Sequence, residues 1–165
     1  MKHFFIISVL FLVCACKQET RIPVDYSSLP KNELQQVVLD LSNVFNMNQI
    51  DTLSQMIIDF EKRTSNEIAI LTVDSIAPYE DLHVYSSAIG NYWGVGKANK
   101  DNGLVIVLLK NQRQIWLSTG NGTTNVLTDS VCQKIIDSVM IPNFKEGQYY
   151  LGMKKGLVAI MEQWH

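Results

Sequence analysis

Leu104-Val105-Ile106-Val107-Leu108-Leu109 is the strongest strand signal in this chain, and only Lys110-Asn111-Gln112-Arg113 separates it from a second strand-like run, Gln114 to Thr119. Four residues cannot carry a chain across a sheet to a parallel neighbour, so the two runs form an antiparallel hairpin. With the turn centred between Asn111 and Gln112, residues whose numbers sum to about 223 lie opposite each other. Gly103 then faces Gly120, and Asp101 faces Gly122. Lys100-Asp101-Asn102-Gly103 and Gly120-Asn121-Gly122-Thr123 meet at one end of the sheet.

The rest of the chain alternates strands and helices. Val37-Val38-Leu39 is a short apolar run ending at Asp40. Asn46-Met47-Asn48-Gln49 has the form of a capping box, and Ile50, Leu53, Met56, Ile57 and Phe60 follow at helical spacing. Glu67-Ile68-Ala69-Ile70-Leu71-Thr72-Val73 is apolar on both faces in its middle, as strands covered on both sides are. A second helix follows Pro78, with Leu82, Tyr85, Ile89 and Trp93 inward and Gly94 and Gly96 ending it. A third helix is predicted over residues 130–140, stopped by Pro142. A fourth spans residues 149–163, with Tyr150, Met153, Leu157, Met161 and Trp164 inward. The order βαβαββαα predicts an α/β fold: a central mixed sheet of about four strands, with an antiparallel hairpin, flanked by helices.

The start of the chain addresses its location. Lys2 and His3 precede the run Phe4-Phe5-Ile6-Ile7-Ser8-Val9-Leu10-Phe11-Leu12-Val13, which is far short of the roughly 20 residues that span a bilayer. It reads as a secretory signal. Its tail, Val13-Cys14-Ala15-Cys16, resembles a bacterial lipobox, in which the last Cys is lipidated and cleavage falls just before it. An ordinary signal peptide cut near Ala15 is the alternative. The expected organisation is a lipoprotein signal over residues 1–15, lipidated Cys16 and a polar tether over 16–34, and a folded domain over 35–165. Lys17 after Cys16 favours the outer membrane, facing the periplasm or the surface, over the inner.

A net charge of −2 without clustered Lys and Arg argues against nucleic acid and against a polybasic membrane patch, so the lipid is left to hold the chain. Of the three cysteines, only Cys132 belongs to the folded region and is free of the signal, so no internal disulfide forms. A lone helical Cys reads first as a small buried hydrophobe.

The loops joined by the hairpin gather one carboxylate, amides, hydroxyls and flexible backbone. Oxygen-rich loops of this kind suit a hard cation such as Ca²⁺, with Asp40, Asp101 and Asp129 as metal ligands beside the loop cluster Asn102, Gly103, Gly120, Asn121 and Gly122. Ordinary turn chemistry explains the Asn-Gly pairs equally. The catalytic inventory is poor. His83 is the only mid-chain histidine, no Walker loop or His/Cys zinc cluster is present, and Gly94-Val95-Gly96 is too short to cradle a phosphate.

Val38-Leu39-Asp40-Leu41-Ser42-Asn43-Val44-Phe45 resembles the opening of the TPM domain, also called the TPM phosphatase domain. Trp93-Gly94-Val95-Gly96, Asp101-Asn102-Gly103, Gly120-Asn121-Gly122, Asp129 and Ile141-Pro142-Asn143-Phe144-Lys145-Glu146-Gly147 continue the likeness in the family's order. The resemblance implies an α/β sandwich in a secreted or membrane-anchored protein. It implies either a cell-envelope accessory or binding domain with an envelope protein partner, or a metal-dependent acid phosphatase. It also implies a divalent-cation site, notably for calcium, in loops at one end of the sheet. Ser118 and Thr124 stand where the family carries glutamates, and fewer ligand charges imply weaker calcium binding.

Overall fold

The computed structural model describes residues 26–165. The expected signal, Cys16 and the first part of the expected tether therefore lie outside the described residues. The elements are β1 (Val38–Asp40), α1 (Met47–Thr64), β2 (Glu67–Val73), α2 (Leu82–Trp93), β3 (Gly103–Leu109), β4 (Gln114–Thr119), α3 (Asp129–Ile135), a π-helical turn (Ile136–Met140), α4 (Ile141–Lys145) and α5 (Tyr149–Gln163). The sheet order is β1-β2-β3-β4, with the first three strands parallel and β4 antiparallel to β3. The hairpin register agrees with the sequence reading: Leu104 pairs with Thr119 and Leu109 with Gln114.

Every residue of β3 is buried, which explains its unbroken apolar run. Leu104, Ile106 and Leu108 face a core shared with Leu53, Ile57 and Phe60 of α1 and Met153, Leu157 and Ile160 of α5. Val105, Val107 and Leu109 face a second core with Tyr85 and Ile89 of α2. Each such fully buried side chain contributes about 1.5–3 kcal/mol. Phe60 and Trp164 close the larger core, their ring centroids 5.7 Å apart.

The capping box forms as read. Asn46 Oδ1 accepts from Gln49 N at 3.0 Å, and Gln49 Oε1 accepts from Asn46 N at 3.0 Å. The helix then ends on left-handed Ser65.

Three expectations change. Pro142 does not stop the third helix. A proline deletes one backbone donor and collides with the carbonyl four residues back. The π-helical turn just before it widens the helix, with Ile141 N–H bonding Ile136 O, and α4 continues with Pro142 in its first turn. Asn143 Nδ2 supplies a donor to Val139 O at 2.6 Å.

The inward stripe of α5 is also different: Gly152, Met153, Gly156, Leu157 and Ile160 are buried, while Tyr150 and Met161 are half-buried. The two glycines let α5 lie close to the bent helix. A Cβ at Gly152 would fall 2.5 Å from the Phe144 ring, and one at Gly156 2.7 Å from the Met140 methyl.

Residues 26–30, finally, fall in the stretch expected to be a tether but pack against the domain. Leu29 is buried in the second core, Tyr26 stacks on Tyr92 with centroids 5.6 Å apart, and Pro30 O accepts from Trp93 Nε1 at 2.9 Å. Apolar residues scattered in a polar stretch show no period from which to read this packing. No described helix is long and apolar enough to cross a membrane.

Candidate functional site

The hairpin brings the predicted loops together. Gly120 N–H donates to Gly103 O at 2.9 Å, and Gly122 N–H to Asp101 O at 3.1 Å. The contact is backbone against backbone. A Cβ on Gly103 would fall 2.2 Å from Val95 O, one on Gly120 2.2 Å from Asp101 O, and one on Gly122 1.8 Å from Lys100 O. Three segments around residues 95, 101 and 121 thus pack more closely than side chains allow.

Asp101, Gly103, Gly120 and Asn121 line a cavity of about 310 Å³ between this loop cluster and α2, together with Ser87, Asn91, Ser118 and Thr119. That is within the lower range of small-molecule pockets. Its polar groups are one carboxylate, two amides and three hydroxyls. Among the described residues no Lys, Arg or His lines it. Ser118, at the family's glutamate position, points its hydroxyl at Ser87, with the two oxygens 3.1 Å apart. Thr124, at the other, donates to Asn121 O at 3.0 Å.

Asn102 belongs to the cluster in sequence but not to the cavity. It is buried, and its amide is fully committed. Nδ2 donates to Ser65 O at 2.8 Å and to Asn66 Oδ1 at 2.9 Å, while Oδ1 accepts from Lys97 N at 3.0 Å. It staples the α1–β2 corner to the loop before β3.

Asp40 is a correction. β1, β2 and β3 are parallel, so Asp40 closes β1 beside Thr72, which in turn lies beside Leu108 near the far end of β3. Asp101 precedes the start of β3. The five steps from Gly103 to Leu108 span about 17 Å, so Asp40 and Asp101 occupy opposite ends of the sheet. The Asp40 carboxylate is also engaged locally. It accepts from Val44 N at 3.0 Å, from Phe45 N at 2.8 Å and from the Thr72 hydroxyl. It shapes the 41–45 loop. Lys110 Nζ reinforces that loop, donating to Ser42 O at 2.9 Å.

Asp129 opens α3 and is exposed. Thr128, not Asp129, is the N-cap, its hydroxyl accepting from Val131 N at 3.3 Å. Burial first, and the Asp129 charge second, push the Cys132 thiol up to about 11. The thiol donates to Leu127 O at 3.7 Å inside the core, so Cys132 is the small hydrophobe expected. No group of three His, Cys, Asp or Glu side chains that could hold a metal comes together among the described residues. Calcium takes six to eight oxygens, usually several of them carboxylates. Among the described residues the Asp101 cavity is lined by one carboxylate and neutral oxygens, a poor fit to a tight calcium site.

Sequence reading missed the ion knot beside this loop. Lys97 Nζ meets Glu61 at 3.0 Å and is bonded to Glu67 as well. Glu67, then Glu61, raise the Lys97 pKa. Glu67 Oε2 also accepts from Gly96 N at 2.7 Å. The Gly96 N–H of the Gly94-Val95-Gly96 turn is thus already taken by a carboxylate. A Lys directly after a Gly-x-Gly turn was the available signal, but its partners lie 30 or more positions away. His83 is exposed on α2 against Trp116, with centroids 5.1 Å apart. Trp164 is core, Trp93 is half-buried, and Tyr92 stacks on Tyr26.

The fold defines an α/β sandwich with a hairpin-built polar cavity at one end of a four-stranded sheet. The TPM domain matches residues 38–163, so the chain belongs to the TPM domain family. Solved structures agree. The N-terminal domain of a P. gingivalis protein is 28% identical with a TM-score of 0.70, over 78% of this chain and 82% of that one. The BA42 protein from Bizionia argentinensis is 16% identical with a TM-score of 0.65, over 75% and 83%. The N-terminal domain of a Corynebacterium glutamicum protein is 14% identical with a TM-score of 0.62, over 82% and 84%. No curated protein matches the sequence.

Proposed function

We propose that this TPM-domain protein is an accessory or binding domain of the bacterial cell envelope, held to the membrane by lipid on Cys16. The cavity at Asp101 carries the reading. Among the described residues it is lined by one carboxylate with amides and hydroxyls, and not by the histidine, cation or second carboxylate that acid–base or phosphoryl-transfer chemistry employs. Such a lining hydrogen-bonds a neutral polar ligand or a partner's loop. Calcium in this cavity would meet Asp101 and neutral oxygens among the described residues, and its affinity would fall in the weak range near about 10⁻⁴ to 10⁻³ M. The outer membrane, facing the periplasm or surface, is the proposed location.

The test is affinity capture of the anchored chain from its native envelope, run beside Asn121→Arg. Asn121 is exposed at the cavity mouth, so the variant blocks the site without touching the core. A partner recovered with the parent chain and lost with Asn121→Arg is expected. A partner profile indifferent to the substitution would count against the cavity. The family's phosphatase reading is the competitor, and turnover decides between them.

A further inference from the structure

The strand order leaves β4 at the edge of the sheet. An edge strand presents unpaired N–H and C=O groups, and proteins usually blunt it by shortness, Lys, Pro or a bulge. The opposite edge obeys that rule, because β1 has only three residues. β4 has six, Gln-Ile-Trp-Leu-Ser-Thr, with no charge and no proline.

The ladder shows which of its backbone groups face out. Gly120 N–H bonds Gly103 O, so this opposed pair is a hydrogen-bonded one. Antiparallel pairs alternate, so Ser118, Trp116 and Gln114 also point their backbone at β3. The N–H and C=O groups of Ile115, Leu117 and Thr119 therefore point outward. Among the described residues nothing bonds them.

Beside the hairpin half of this edge lies a groove of about 580 Å³. Ile115 and Trp116 of β4 line it. Glu80 and Asp81 at the start of α2 line it, as does Asp137 on the π-helical turn, against Arg113 and the imidazole of His83 among the described residues. An added strand would run about 4.8 Å outside β4.

We propose that the outer edge of β4 receives an extended, basic peptide segment of an envelope partner as a fifth strand. Main-chain pairing with Ile115, Leu117 and Thr119 supplies affinity, and the acidic rims select Lys or Arg. A second copy of this chain fits less well. Both rims are acidic, so either two-fold pairing of β4 edges sets carboxylates against carboxylates. The proposal deepens the binding-domain reading and depends on it only for where the partner resides.

The experiment uses the full chain and three short capped peptides: alternating Lys and Val, alternating Glu and Val, and the Lys–Val peptide N-methylated on its pairing amides. Residue-resolved amide exchange is the readout. The Lys–Val peptide should slow exchange at Ile115, Leu117 and Thr119 by about tenfold or more, and the other two peptides should not. The double variant Glu80→Gln, Asp137→Asn should weaken that binding by about 2- to 30-fold, and added salt should weaken it similarly. Equal binding of the Glu–Val or N-methylated peptide overturns the proposal. So does no binding at about 1 mM peptide. Protection of the same amides that grows with protein concentration, without peptide, gives the edge to a second copy and overturns it too. None of these readouts involves Cys16 or the Asp101 cavity, so failure here is separable from failure of the proposed function.

Discussion

Replacing Asn102 by Ala removes a buried amide that makes three hydrogen bonds, to Ser65 O, Asn66 Oδ1 and Lys97 N–H. Each is worth about 0.5–1.5 kcal/mol net, so the loss centres on about 3 kcal/mol. For a domain of this size that lowers the melting midpoint by about 6–12 °C. Asn102→Asp should lose at least as much. It keeps an acceptor for Lys97 N–H but turns an oxygen toward two other oxygens. Asp101→Asn is the neighbouring control. Asp101 is exposed and left-handed, a conformation Asn tolerates, so its midpoint should stay within about 2 °C. Scanning calorimetry of the three variants reads all of this. A midpoint for Asn102→Ala within about 2 °C of the parent would refute the staple and return Asn102 to the loop cluster as a ligand candidate.

Three further outcomes follow from the same geometry. Calcium at 1 mM should stabilise the fold by only about 0.4–1.4 kcal/mol, and Asp101→Asn, but not Asp40→Asn, should abolish that shift in thermal melting. Adding Ser118→Glu and Thr124→Glu should strengthen calcium binding, and a large shift at micromolar calcium in the parent chain would contradict the weak site. Burial pushes Cys132 up to about 11 from 9.0 and Tyr85 up to about 12 from 10.0, so both favour the folded state while protonated. Their contribution is complete below about pH 9 and is lost as pH rises through 9–12, because the unfolded chain ionises first. Melting should fall across that window, and Cys132→Ala should flatten its lower part; a midpoint constant from pH 8 to 11 would contradict it. Mass spectrometry of the mature N-terminus should show acyl chains on Cys16, and Cys16→Ser should release the chain from membranes. An unmodified terminus elsewhere, in a host that processes lipoproteins, would remove the anchor.

Much of the fold was legible because its signals are local. The capping box at Asn46 and Gln49, the Gly94 stop and the six-residue apolar strand each depend on residues a few positions apart. The hairpin register was legible because a four-residue connection leaves one geometry. The site was half legible. Pairing placed Asp101 beside Gly122, but Asp40 was misplaced because its end of the sheet is set by the direction of β1 and β2, not by its own neighbours. Pro142 misled for a related reason. Its rule assumes a regular α-helix, and the π turn that accommodates it has no sequence period to read. The role of Asn102 was hidden because Ser65 and Asn66 lie more than 30 positions away.

The central claim is that the Asp101 cavity binds rather than catalyses. A phosphatase assay on the chain, with and without divalent metal, tests it most directly. The account predicts no turnover that depends on Asp101. Turnover above about 1 s⁻¹, within the ordinary enzyme range, that disappears in Asp101→Asn while the melting midpoint holds, would contradict it.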